Sequence, residues 1–264
     1  MSRSFFWLAL PLCALLAACA QKPPTVDDVV NQAVKTQGGA AALAAITDQV
    51  STWEAKSTFP MGDSMVTWVG EMTITYKRPN KIKFESKNPD GTLAFASVFD
   101  GTKGWQYMMG EVREMAPAEV EETAPMAETW IDGWHDYAQK GLKLMLHADT
   151  TMNGETYHVV HATDKYNNVS MNYCDMQTGL VERSEVTMTD PMTMQKTPMA
   201  MTFADYTSAG GLMVPGKFTQ YDANGAVMFE AALKECQHNT GVSDDAFAAP
   251  APMTAAPAEA EANM

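Results

Sequence analysis

An α+β fold dominated by antiparallel hairpins is what this sequence predicts, on three observations. From residue 48 onward, apolar residues alternate with polar ones instead of recurring at helical spacing. Turn-forming clusters interrupt that alternation at intervals of roughly 6–12 residues. Helical crossovers between the strands are missing, so a parallel sheet is not expected. The 264 residues carry 18 Lys+Arg against 32 Asp+Glu, a net charge of −14, which argues against a nucleic-acid partner. Four Cys are too few for a disulfide-built miniature, whereas 21 Met is unusual.

The elements follow in order. Thr25 with Asp28 is a capping-box pattern opening a helix, and Val26, Val29, Val30, Ala33 and Val34 form its single apolar stripe. Gly38 and Gly39 end it, and residues 40–46 read as a second short helix. Val66, Trp68, Met72, Ile74 and Tyr76 then share one strand face, and Ile82 and Phe84 alternate with Lys81, Lys83 and Glu85. Arg78-Pro79-Asn80, Asn88-Pro89-Asp90-Gly91, Asp100-Gly101, Asn153-Gly154, Gln177-Thr178-Gly179 and Asn224-Gly225 supply reversals. Residues 116–140 interrupt the strands: Pro117 and the acids Glu119, Glu121 and Glu122 start a helical insert on which Trp130, Trp134 and Tyr137 form an aromatic stripe. Residues 249–264 are Ala, Pro and Glu with little to bury, and read as a disordered tail.

The N-terminus reads as an address. Arg3 precedes an apolar run over residues 5–18 that is too short to span a bilayer comfortably. It ends in Leu16-Ala17-Ala18-Cys19, which resembles the lipobox of bacterial lipoproteins. That resemblance implies a signal peptide over residues 1–18 and acylation of Cys19 as the first mature residue. It also implies a tether over 19–24 and, with Ala20 after the Cys, sorting to the outer membrane, facing the periplasm. Several attached chains make a durable anchor, at about 0.8 kcal/mol per buried methylene.

Several phrases then fall into one register. They are Gln37-Gly38-Gly39-Ala40-Ala41-Ala42-Leu43, Tyr76-Lys77-Arg78-Pro79-Asn80-Lys81-Ile82 and Phe99-Asp100-Gly101-Thr102-Lys103-Gly104-Trp105. Phe203-Ala204-Asp205-Tyr206, Gly211-Leu212-Met213-Val214-Pro215 and Asp244-Asp245-Ala246-Phe247 follow in order. Over residues 28–248 this resembles the LolA/LolB-like superfamily of lipoprotein-sorting proteins. The resemblance implies a domain over 25–248 folded as a strongly curved antiparallel sheet. That sheet would be an incomplete barrel of about 11 strands whose concave side is plugged by helices. It also implies that a lipid, acyl chain or other hydrophobic ligand is held between sheet and helices. No residue that would select a lipid headgroup is recognisable, nor is an apolar protrusion for membrane insertion.

The expected lining is Trp68, Met72, Ile74, Tyr76, Phe84, Phe95, Trp105, Tyr107, Trp130, Trp134, Met171, Tyr173, Met201 and Phe203. If those rings close on each other the result is a filled core, and the chain becomes an envelope interaction or structural lipoprotein with an unnamed protein partner. If the helices hold them apart, the result is a lipid-sized pocket. A third reading comes from Met188, Met192, Met194, Met199 and Met201, whose thioethers suit Cu(I) but equally suit an adaptable apolar lining.

Other chemistry is weakly supported. His158 and His161 lie three apart on a strand, so they point to opposite faces and cannot share an ion; no metal site and no cofactor are expected. Neither a nucleophile elbow nor a phosphate loop occurs, so an enzyme is not expected. Strand parity puts Cys174 with Ser170 and Asn172, and Cys236 with Lys234 and Glu230, both on the outer surface and too far apart for a disulfide.

Overall fold

The computed structural model describes residues 22–61, 64–108, 110–189 and 195–251. The expected signal, Cys19, nearly all of the expected tail, Met192 and Met194 lie outside the described residues. Two helices come first, α1 (Val26–Gln37) and α2 (Ala40–Ala44). The Thr25 hydroxyl accepts from the Asp28 N–H and the Asp28 carboxylate accepts from the Thr25 N–H at 2.8 Å, closing the predicted capping box. Gly38, at φ +126°, ends α1.

Six strands follow: β1 (Asp48–Met61), β2 (Ser64–Lys77), β3 (Lys81–Lys87), β4 (Leu93–Phe99), β5 (Gly104–Met108) and β6 (Glu111–Glu114). After helix α3 (Pro117–Thr129) come β7 (Lys143–Leu146), β8 (Thr150–Met152), β9 (Glu155–Thr163), β10 (Val169–Asp175), β11 (Val181–Thr189) and β12 (Lys196–Ala204). The small hairpin β13 (Thr207–Ala209) and β14 (Leu212–Val214) stands apart, and β15 (Lys217–Tyr221) and β16 (Val227–His238) complete the chain of strands. Among the described residues no helix is long and apolar enough to cross a membrane.

The expected strongly curved, incomplete barrel of about 11 strands is corrected by this topology. One open, antiparallel 14-stranded sheet forms, in the order β6-β5-β4-β3-β2-β1-β16-β15-β12-β11-β10-β9-β7, with β8 also paired to β9. Its outermost strands, β6 and β7, do not pair with each other. They are consecutive in the chain but separated by the helical insert, which packs across one face of the sheet and does not join the two edges. The additional strands are short: β6, β7 and β8 span four, four and three residues, at or below the shortest run in which alternation is readable.

The insert also departs from expectation. Only α3 is helical; residues 130–141 are a succession of turns. Pro125 lies inside α3, and Asp136 (φ 53°) and Gly133 (φ 52°) adopt left-handed backbone that a helix cannot contain. Trp130, Trp134 and Tyr137 therefore reach the core from turns and not from one helical face.

One face of the sheet is covered by α1, α2, α3 and these turns. Trp53, Met72, Ile74, Ile82 and Phe99 pack there against Ala124 and Ala127 of α3, with Trp68, Phe84 and Trp130 around them. A second cluster joins Val30, Val34, Leu43, Ile46, Tyr76, Ile131 and Leu212, and a third joins Val29, Val160 and Cys174. Cys174 thus faces α1, fully buried, and not the outer surface. Cys236 is half-buried opposite Ser51, because a register shift at Thr52/Trp53 moves it off the face of Lys234. Both cysteines are free.

Candidate functional site

A partly open cavity of about 270 Å³ lies between α1, the turns after α3 and strands β10–β12; a larger and more open depression of about 730 Å³ over β1, β2, β15 and β16 is lined by Lys and Glu side chains and lacks its apolar walls. Val30, Ala33, Val34 and Gln37 repeat at helical spacing and form the α1 wall. Asn172, Ser184, Met201 and Phe203 form the floor, with Leu180, Val181 and Tyr206 at its end. Thr129, Gly133 and Trp134 form the roof. None of the lining residues carries a charge.

Local sequence fixes both walls. The β10–β11 hairpin grips α1: the Gln32 amide donates to the Gln177 carbonyl and the Thr36 hydroxyl to the Thr178 carbonyl, each at 2.8 Å. At Gly179, φ +70°, an added Cβ would lie 2.7 Å from the Val29 carbonyl oxygen and the Ala33 nitrogen, so glycine permits the contact. The roof is fastened by Arg78. Its guanidinium donates to both Asp132 carboxylate oxygens and to the carbonyls of Leu43 and Ile46. The Lys140 ammonium donates to the Gly133 carbonyl at 3.2 Å and the Tyr137 hydroxyl to Asp27 at 2.9 Å.

The polar atoms of the floor are mostly committed. Ser184 donates to the Asn172 side-chain oxygen at 2.8 Å, and the Asn172 amide nitrogen donates to Ser170 (2.8 Å) and the Val160 carbonyl (3.3 Å). Tyr206 donates to the Val181 carbonyl at 2.6 Å, and burial pushes its phenol well above the ordinary tyrosine range. The Gln37 amide, by contrast, has no hydrogen-bond partner among the described residues.

The fourteen expected lining residues separate into three groups. Trp134, Met201 and Phe203 line the cavity. Trp68, Met72, Ile74, Tyr76, Phe84 and Phe95 share the covered face with Trp130 above them, but largely fill their own space. Phe84 and Trp130 meet edge-on with centroids 5.7 Å apart, and the Tyr76 hydroxyl is spent on the Pro79 carbonyl. Trp105, Tyr107, Met171 and Tyr173 lie on the opposite face. Gln106, between the first two, donates to Glu119 beneath α3, and Cys174, beside Tyr173, faces α1; alternation then sends their neighbours the other way. Sequence reading missed Val30, Val34 and Gln37 as wall residues, although the valine stripe was visible. It also missed Asn172, Ser184 and Tyr206, whose polarity concealed their burial.

Metal-type clusters do not assemble: among the described residues no group of three or more His, Cys, Asp or Glu is placed to hold an ion. His158 pairs with Asp149 at 2.8 Å. Met188 and Met199 share the covered face of β11 and β12, and the Met199 sulfur accepts from the Gln220 amide at 3.0 Å.

No family model matches the chain, and no curated protein matches it in sequence. Solved structures do match in fold. A LolA superfamily protein of Nitrosomonas europaea superposes with a TM-score of 0.56 at 12% identity, over 85% of this chain and 98% of that one. A DUF1329 family protein of Desulfovibrio piger gives 0.55 at 11% identity, over 85% and 97%. A domain named for outer membrane lipoprotein sorting, from Vibrio parahaemolyticus, gives 0.50 at 13% identity, over 76% and 89%. At these identities the likeness is one of fold, and the fold is LolA-like.

Proposed function

We propose that this LolA-like fold serves as a periplasm-facing lipoprotein, held to the outer membrane through Cys19, that binds a hydrophobic ligand in the cavity between α1, the insert and β10–β12. The observation that carries the reading is the cavity itself. Its walls are mainly Val, Leu, Met, Phe and Trp side chains, and its roof is a turn segment rather than sheet. Its volume of about 270 Å³ stands just under the ~300 Å³ at which small-molecule pockets begin. The lipobox at residues 16–19 and the fold shared with a lipoprotein-sorting domain support the compartment. The role is binding or carriage, not catalysis.

Native mass spectrometry of detergent-free protein, followed by solvent extraction, tests this. A co-purifying apolar ligand is expected, and it should be lost when Met201→Trp fills the cavity. Repeatedly empty protein that also ignores hydrophobic probes would overturn the reading. The filled half of the covered face, around Trp68, Phe84 and Trp130, favours a second role as an envelope interaction lipoprotein. Recovery of one defined protein partner with an empty cavity would select it.

A further inference from the structure

We infer that the cavity selects an electrically neutral, single-chain amphiphile of roughly ten carbons bearing one amide or hydroxyl head, and rejects ionised fatty acids and multi-chain lipids. This rests on the ligand-binding reading above and narrows it by chemistry.

Size comes first. A dry cavity of about 150 Å³ holds one benzene. The present cavity, at about 270 Å³, has less than twice that room. One short chain fits, whereas two or three long acyl chains do not. Beside it, the covered face is occupied by the packed side chains of Trp130, Phe84 and Met72.

Charge comes second. No lining residue is ionisable near neutrality. The nearby cations are engaged: Arg78 and Lys140 are both within salt-bridge distance of Asp132 beneath the roof, and Arg183 is paired with Glu185. A carboxylate or phosphate seated against these walls would give up part of its hydration with no counter-charge to replace it. The orientation of α1 opposes an anion further. The wall formed by Val34 and Gln37 is the C-terminal turn of that helix, whose carbonyls carry partial negative charge.

Hydrogen bonding comes third. The Asn172 amide and the hydroxyls of Ser184 and Tyr206 already donate within the protein. Gln37 alone offers an uncommitted donor and acceptor on the wall. One neutral head group able both to give and to accept matches it.

The test uses the full chain in phosphatidylcholine nanodiscs at pH 8, with photoactivatable decanol, decanamide, decanoate and diacyl phosphatidylcholine. Labelled peptides are located by mass spectrometry and normalised to the amount of each probe recovered in the nanodisc bilayer. Saturable labelling of α1 and of residues 172–184 by decanol and decanamide is expected, at least tenfold above decanoate, with the diacyl probe absent there. Met201→Trp and, as a second filling variant, Val34→Phe should abolish it. Gln37→Leu should weaken the two neutral probes about fivefold, the value of one neutral hydrogen bond. Decanoate or diacyl lipid labelling these peptides as well as decanol would overturn the inference while leaving the binding role intact. Labelling by no probe above the filled variants would overturn both.

Discussion

Arg78 and Asp132, 54 residues apart in sequence, form a two-point guanidinium–carboxylate pair that pins the turns roofing the cavity onto the β2–β3 connection. The same guanidinium donates to the carbonyls of Leu43 at 2.8 Å and Ile46 at 2.5 Å, so α2 is held by the same side chain. Burial alone would raise the Asp132 carboxyl, but the Arg78 hydrogen bond and the Lys140 charge outweigh it and hold the group below the ordinary aspartate range. Arg78→Ala strips the two-point donor from that carboxylate, leaving it only the Lys140 ammonium, and removes the Arg78 donor from the Ile46 carbonyl and one of two donors from the Leu43 carbonyl. It should destabilise the protein by about 2–3 kcal/mol, under the ~3–5 of a fully buried pair because both side chains keep some water. Arg78→Lys retains the charge but not the fork and should recover less than half of the loss. Urea unfolding of the three proteins measures both.

Acid should destabilise the fold through Glu119. Its carboxylate accepts from both Arg113 terminal nitrogens at 2.7 Å, from Gln106 at 3.0 Å and from the Ala116 N–H at 2.8 Å. The Arg113 hydrogen bonds, working against burial, hold the group below its usual range. A carboxyl lowered on folding stabilises fully above its unfolded value, about 4.3, and the contribution is lost as pH falls through the folded value. Stability should therefore be level from pH 7 to about 5 and fall below that. Glu119→Gln should be less stable at pH 7 and show a shallower fall between about pH 4.5 and 3, read from urea midpoints across that window. An unchanged slope would remove Glu119 from the acid transition.

What the sequence made legible follows from period and punctuation. The Thr25–Asp28 cap, the valine stripe of α1, the Gly38 stop and the covered face of Trp68, Met72, Ile74 and Tyr76 were all readable, because each is a local pattern with a local cause. The opposite-face placement of Trp105, Tyr107, Met171 and Tyr173 was not. Alternation gives two faces but does not say which meets the helices, and in β4 both are covered: Ala96 and Val98 on one, Phe99 on the other, all 1% exposed. Cys236 was misplaced by a bulge at Lys234 in its own strand. The insert misled because three- and four-residue aromatic spacing survives in consecutive turns, and only Gly133 and Asp136 betray the break.

Gly179→Ala should injure the site through the backbone of one of its own lining residues. Alanine would combine a left-handed backbone with a Cβ 2.7 Å from α1 backbone atoms, which cannot move as a flexible side chain can. A cost of about 1–3 kcal/mol is expected, with α1 displaced from the floor. Loss of ligand at a concentration of denaturant where the variant is still folded would separate that displacement from unfolding.

The two cysteines of the sheet should resist thiol reagents in the native protein. Burial raises the Cys174 thiol to about 12 and the Cys236 thiol to about 11, so at pH 8 almost no thiolate is present at either. Cys236 keeps partial solvent contact, with its sulfur 3.7 Å from the His238 ring nitrogen, and should react before Cys174. Peptide mapping after timed alkylation should find Cys174 modified only under unfolding conditions. Early modification of Cys174 would show that α1 detaches readily from β10.

Trp130 and Trp134 are four residues apart in one run of turns, yet they should fail in opposite ways. Trp130 packs edge-on against Phe84 inside the filled half of the covered face. Truncation there leaves an internal void, so Trp130→Ala should cost about 3–5 kcal/mol with the ligand site largely intact. Trp134 roofs the cavity and touches the α1 and β9–β11 clusters from its rim. Its removal enlarges a space that is already open, so Trp134→Ala should cost less, about 1–2 kcal/mol. The same variant should admit longer chains: a photoactivatable hexadecanol that labels α1 poorly in the parent should label it well. If both variants lost stability equally and neither changed chain-length preference, the division of this face into a filled half and a binding half would be wrong.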